Sequence, residues 1–187
     1  MHSLTTSPVE PATSAGEIRA PLPRDTALAY RTLDSPLGPL LLAVSERGLV
    51  RLALPAEVIE QLPASVARGR VDVRRRLDEA SREIDEYFRG LRRDFALAID
   101  WRTTVGFTRR VLEAATRIPY GEVTSYSKLA AAAGNPRAAR ATGRALACNP
   151  VPIVVPCHRV VPAAGGIGGY AGGPELKVRL LKLEGAV

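Results

Sequence analysis

The chain is short of the residues that most often announce chemistry. Its 187 positions hold two cysteines, Cys148 and Cys157, and two histidines, one of them at position 2. No Cys/His ligand set of the usual spacing can be assembled from these, so a zinc site is not expected. No segment approaches the roughly 18 apolar residues of a membrane span. Residues 1–26 lack the apolar centre of a secretory signal and are rich in Ser, Thr, Pro and Ala. They read as a loosely ordered extension. The expected location is therefore the reducing cytoplasm, with both thiols free. There are no internal repeats, and low complexity is confined to the tail. Lysine is absent from residues 1–103.

Charge, by contrast, is unevenly placed. Residues 1–103 balance 15 Arg against 15 acidic residues, whereas residues 104–187 set 11 basic residues against 4 acidic ones. The whole net charge of +7 lies in the C-terminal part. Such a field suits a polyanionic partner, and it equally suits a solubilising surface.

From residue 27 the pattern is β-like. Leu28, Tyr30 and Thr32 alternate with Ala29 and Arg31, and Ser35-Pro36-Leu37-Gly38 makes a turn. Pro39–Val44 and Leu49–Leu54 form a hairpin about Ser45-Glu46-Arg47-Gly48. Leu77, Ala80, Ile84, Tyr87, Phe88 and Leu91 recur at helical spacing, with Gly90 placed to end that helix. Phe95–Trp101 is expected as a last strand. The carboxylates of this half are interleaved with arginines on a solvated helix face, and none pairs as acid/base machinery.

The second half reads as helical. Phe107–Thr116 and Ser127–Ala133 are expected helices. Gly134-Asn135-Pro136 is a sharp turn, with Asn135 capping a third helix and Pro136 at its first position. Two short helices joined in this way resemble a helix-turn-helix. Arg137, Arg140 and Arg144 project onto one side of the third helix, within an arc of about 60°. Small residues lie between them. This stripe can approach a nucleic-acid groove closely, or be a plain solvated face.

Residues 156–161, Pro-Cys-His-Arg-Val-Val, set Cys157 beside His158. An ordinary thiol is only slightly ionised at neutral pH, so a nucleophilic cysteine needs a base or a positive field. Adjacent side chains usually point apart, and a bridging water would connect them. Pro150, Pro152 and Pro156 are expected to hold the approach extended and free of helix. A buried small hydrophobe is the alternative for Cys157, and the expected role of Cys148. The run Gly166-Ile167-Gly168-Gly169-Tyr170-Ala171 matches a dinucleotide fingerprint nominally. Only 16 residues follow it, too few for the second strand and its ribose-binding acid.

With these residues in view, the sequence resembles the O6-alkylguanine-DNA alkyltransferases, or methylated-DNA–protein-cysteine methyltransferases. The C-terminal likeness runs through Ile118-Pro119-Tyr120-Gly121-Glu122-Val123, Ser125-Tyr126, Gly134–Arg140, Asn149–Pro152, Pro156–Val161 and Gly168–Gly173. It ends in Leu180-Leu181 and Glu184-Gly185. The N-terminal likeness is sparser: Ser35–Gly38, Gly48–Val50, Tyr87–Gly90 and Phe95.

The resemblance implies an α+β protein of two domains. A ribonuclease-H-like domain would span 27–103, and a mainly helical, winged-helix-like DNA-binding domain 104–187. It implies that Cys157 is the alkyl acceptor, that His158 takes its proton through a water, and that Glu184 holds His158. Asn149 would brace the active-site turn, and Tyr126 would help protonate the departing guanine. Arg140 would fill the space left by a flipped nucleotide, with Thr108, Ser127 and Asn135 near the phosphate backbone. The partner would be double-stranded DNA carrying O6-alkylguanine or O4-alkylthymine, met by a monomer with no cofactor and no metal, cooperative assembly along the DNA being left open. Each molecule would act once. Ala171 stands where some members have a serine, and Ala163 removes another polar group. Two rivals differ in kind: a DNA-binding module in which Cys157 is inert, and a cysteine hydrolase or redox protein.

Overall fold

The structure is a computed structural model, and it describes residues 26–55 and 71–187. The N-terminal extension, Thr26 excepted, lies outside the described residues. So does most of the connection that follows Leu54.

Three strands form an antiparallel meander: β1 (Leu28–Leu33), β2 (Leu40–Ser45) and β3 (Gly48–Ala53). Strand β2 is buried along its whole length, as its run Leu-Leu-Leu-Ala-Val requires of a central strand. On β1 the buried residue is Ala29. Arg31 emerges beyond it and reaches Asp78 Oδ1 at 2.7 Å and Ser81 Oγ at 3.2 Å on the covering helix. That helix, α1 (Val71–Phe88), buries Val73, Leu77, Ala80, Ile84 and Tyr87 and turns most of its charges outward; Glu83, expected on a solvated face, is instead buried and accepts from Ala96 N at 2.9 Å. It ends at Gly90, whose φ of 71° lets Leu91 N bond back to Glu86 O at 2.9 Å.

Phe95–Trp101 does not form the expected strand. It makes one isolated parallel bridge, Leu49 with Ile99, flanked by Leu49 N to Ala98 O (2.8 Å) and Asp100 N to Leu49 O (2.9 Å). The reason lies at buried Asp100. Its carboxylate accepts from Ser45 Oγ (2.6 Å), Arg102 N (3.1 Å) and Arg102 Nε (2.9 Å). These bonds turn the chain into a 3-10 turn over Trp101–Thr103. Burial acts to raise the Asp100 pKa, but the Arg102 and Ser45 donors hold it at about 2.

The second half contains α2 (Gly106–Ala115), β4 (Thr124–Ser125), α3 (Tyr126–Ala132), α4 (Ala139–Ala147), β5 (Val160–Val161) and α5 (Pro174–Leu183). Ser125 caps α3 through its hydroxyl, which accepts from Lys128 N at 3.2 Å. Helices α3 and α4 form the helix-turn-helix. Asn135 does not cap α4 as expected. Its Oδ1 accepts from Arg137 N (3.3 Å) and its carbonyl from Ala138 N (3.0 Å), which holds residues 135–138 in a turn. Helix α4 therefore starts at Ala139, with Ala138 at the cap. Arg137 and Pro136 precede it, and the projected stripe shortens to Arg140 and Arg144.

Strands β4 and β5 pair in parallel, Thr124 with Val160 and Ser125 with Val161. This pairing sets the start of α3 beside the residues that follow Cys157. One buried apolar cluster runs through both halves, from Leu42 and Tyr87 to Leu112, Val155 and Leu180. Among the described residues no helix is long and apolar enough to cross a membrane.

Candidate active site

The site is built on a turn over residues 150–156. The prolines exclude helix here, but the approach is bent where an extended run was expected. Val155 N bonds to Val151 O at 2.9 Å, and Ile153 takes φ 74°. It is the only non-glycine residue with positive φ among the described residues. For a β-branched side chain that conformation is strained. Next, Cys157 N closes on Val155 O at 2.8 Å around Pro156 (φ −80°, ψ 64°), an inverse γ-turn. Cys157–Arg159 then form one 3-10 turn.

Asn149 holds this turn from inside. Its Oδ1 accepts from Val151 N (3.1 Å), while its Nδ2 donates to Val155 O (2.8 Å) and to Cys157 Sγ (3.1 Å). Cys157 as a whole is 7% exposed. Burial pushes the Cys157 thiol up to about 11, against the opposing pull of Asn149 and Lys177. The cysteine is thus a protonated thiol at rest, and proximity to basic residues does not make it a standing thiolate.

His158 is fully buried. Its Nε2 lies 3.0 Å from Glu184 Oε1, and its Nδ1 has no hydrogen-bond partner among the described residues. Glu184 caps the end of α5. Burial acts to raise its pKa, but bonds from His158, Arg159 and Tyr87 hold it at about 2. The carboxylate is therefore ionised and only accepts, which assigns the imidazole proton to Nε2 and leaves Nδ1 as the basic atom. Burial lowers the His158 pKa, Glu184 opposes that, and Arg159 and Lys177 add to it.

A cavity of about 360 Å³ opens at the sulfur. Tyr126, Gly143, Leu146, Ala147, Gly169, Tyr170 and Ala171 line it together with Cys157. Its size and mostly apolar walls suit a single planar ring system. Gly143 lines the cavity from α4, where a Cβ would make an ordinary van der Waals contact with the Tyr126 ring at 3.7 Å. Burial, and then Cys157, raise the Tyr126 pKa, so the phenol keeps its proton. A larger cleft of about 600 Å³ lies behind the same turn, between Phe95–Trp101 and α2. It does not include Cys157.

Two family models match the chain. One is described as the ribonuclease-like domain of 6-O-methylguanine DNA methyltransferase, over residues 28–101. The other is the DNA binding domain of the same protein, over residues 106–186. The chain belongs to the 6-O-methylguanine DNA methyltransferase family. The constitutive methylated-DNA–protein-cysteine methyltransferase of Bacillus subtilis is 40% identical over 156 residues, covering 83% of this chain and 94% of that protein. The Mycobacterium leprae protein of that name is 42% identical over 154 residues, covering 82% and 90%. The crystal structure of Mycobacterium tuberculosis OGT in complex with DNA superposes with a TM-score of 0.71 at 38% identity, over 84% of this chain and 92% of that one.

Within this family member, the residues expected at the reacting centre come together: Cys157, His158, Glu184, Asn149 and Tyr126. Arg140 sits apart, exposed on α4. Ser127 and Asn135 are exposed at the start of α3 and in the turn before α4, and Thr108 is buried in the first turn of α2. Three contributors had no sequence signal of their role. Arg159 is buried and grips Glu184 through Nε to Oε2 (2.8 Å) and Nη2 to Oε1 (2.9 Å), while its Nη1 bonds Ile118 O at 2.5 Å. Lys177 is fully buried and donates to Val160 O at 2.6 Å. Tyr87 donates to Glu184 Oε1 at 2.7 Å. A buried carboxylate demands donors, but the sequence does not say which ones arrive.

Proposed function

We propose that this protein repairs DNA by direct reversal, passing one alkyl group from O6-alkylguanine or O4-alkylthymine to Cys157. The carrying observation is a single one. The Cys157 sulfur forms the floor of a base-sized pocket, backed by Asn149 and by a buried His158–Glu184 pair.

The chemistry follows from these positions. The target base must leave the duplex to reach the sulfur, at a cost of a few kcal/mol. Arg140, exposed on α4, would enter the duplex in its stead. The thiol proton passes through a water to His158 Nδ1, and Glu184 stabilises the imidazolium that forms. A sulfur–carbon bond forms in line as the carbon–O6 bond breaks. The departing guanine receives a proton with the help of Tyr126, so the products are a thioether and unmodified guanine. Burial keeps the thiol protonated until this moment. A thioether has no route back to a thiol here, so each molecule acts once. The reaction requires no cofactor, and the protein works as a cytoplasmic monomer. The division into a 27–103 domain and a 104–187 DNA reader belongs to the same reading, with exposed Ser127 and Asn135 toward the backbone phosphates; the burial of Thr108 in α2 takes its side chain off that surface.

The test is a duplex containing O6-methylguanine, incubated with one equivalent of protein and analysed by mass. One methyl on the Cys157 peptide and unmodified guanine in the DNA are expected. Tight binding without a mass gain would favour a binding module, and turnover of an ester would favour a hydrolase.

A further inference from the structure

We propose that Tyr87, on the sheet-covering helix of the N-terminal half, is a positioning residue of the proton relay, acting through Glu184 on His158. The inference rests on the alkyl-transfer reading above.

Oε1 of Glu184 receives three donors: Tyr87 Oη at 2.7 Å, Arg159 Nη2 at 2.9 Å and His158 Nε2 at 3.0 Å. Tyr87 makes the shortest of these bonds, across 97 residues of sequence. Its ring is fully buried and fixed by Phe88, Phe95 and Tyr120, with centroids at 5.3, 5.4 and 6.1 Å. The hydroxyl therefore has one direction to point. Burial, and then the Glu184 charge, push its ionisation far above the ordinary range, so it only donates. Donors that share one carboxylate oxygen divide its charge. What Tyr87 and Arg159 draw from Oε1 is withheld from His158, and the imidazole becomes less basic. The other groups that bear on His158 are the Arg159 guanidinium beside it, Lys177 from α5, and Cys157. Tyr120 and Arg93 stack beyond Arg159.

Two consequences separate this role from simple packing. His158 must be neutral to accept the thiol proton, so the acid limb of the rate–pH profile reports its basicity. Removing the Tyr87 hydroxyl returns charge to His158, and the limb moves to higher pH.

The experiment is single-turnover transfer to the full chain from free O6-benzylguanine, followed from acid to neutral pH. In Tyr87→Phe the acid limb is expected to rise by about half a unit to one unit. A 3-fluorotyrosine introduced at position 87 keeps the bond and the packing and is a stronger donor. Its limb is expected to fall, and this variant serves even where Tyr87→Phe does not fold. Ser81→Ala removes a hydroxyl from the same helix, away from Glu184, and should leave the limb in place. Limbs unmoved in both position-87 variants, or a Ser81→Ala limb that moves equally, overturn the proposal while leaving the transfer reading intact. Unsubstituted protein that gains no alkyl group overturns both.

Discussion

Leu52 donates its backbone N–H to the carbonyl of Pro150 at 2.9 Å, joining strand β3 to the turn that carries Cys157. The N-terminal sheet thus buttresses the active-site turn from behind, while the pocket itself is lined by residues of the other half. The strained Ile153 and the paired Asn149 sit in a turn held from both sides. One side is the sheet, and the other is the side-chain amide that also reaches the sulfur. Together with the Tyr87–Glu184 bond, this makes the N-terminal half a support for the proposed reacting groups, which all lie in the other half.

Asn149→Ala removes three hydrogen bonds inside the turn. A stability loss of about 2 to 4 kcal/mol is expected, since the Val151 amide loses its acceptor, the sulfur loses the Asn149 donor, and the Val155 carbonyl keeps only its bond from Cys157 N. The Leu52 amide should exchange with deuterium faster in this variant. Thermal unfolding and hydrogen exchange by mass spectrometry measure both effects, and unchanged Leu52 protection would show that the turn stands without Asn149.

Cys157→Ser should abolish transfer while leaving affinity for an O6-methylguanine duplex within about twofold, because the exposed helix-turn-helix residues are untouched. Mass analysis and a fluorescence binding titration check the two halves of this statement. Methylation persisting on Cys148, or anywhere else, would move the acceptor.

Arg140→Ala should slow repair of damaged duplex by about tenfold to a hundredfold, the kinetic equivalent of losing part of the extrusion energy. Reaction with free O6-benzylguanine needs no extrusion and should be nearly unchanged. Comparing the two rate constants decides the matter, and equal losses would remove Arg140 from this role.

Acid should destabilise the fold in a defined window. Glu184 is depressed from 4.5 to about 2 and Asp100 from 3.8 to about 2. A folded-state pKa below the unfolded value gives stability that is complete above about pH 4.5 and is lost as pH falls toward 2. Thermal midpoints measured from pH 7 to 2 should be level at first, as far as these two groups are concerned, and then fall. Glu184→Gln should flatten part of the decline.

Much of the fold is written in local pattern. The hairpin, α1, the break at Gly90 and the helices α2 and α3 all follow from spacing and turn residues, which act within a few positions. Where the pattern misled, a tertiary contact won. Phe95–Trp101 has the apolar content of a strand, but the Asp100–Arg102–Ser45 bonds divert it. Asn135 has the chemistry of a cap, but it closes its own turn, and α4 begins four residues later. The three prolines do exclude helix before Cys157, yet Ile153 in the left-handed region bends the run that they were expected to extend.

By itself the sequence named the residues proposed to carry the chemistry: the cysteine in its Pro-Cys-His-Arg setting, the asparagine before the proline turn, and the glutamate after the last helix. It could do so because nucleophile, base and acceptor are properties of side-chain type. Only the tertiary structure decided their state. Burial leaves Cys157 a thiol near pKa 11, the ionised Glu184 leaves His158 Nδ1 as the base, and Tyr87 and Arg159 share that carboxylate. Ionisation depends on desolvation and on charges a few ångströms away, and those neighbours come from positions as far apart as 87 and 184.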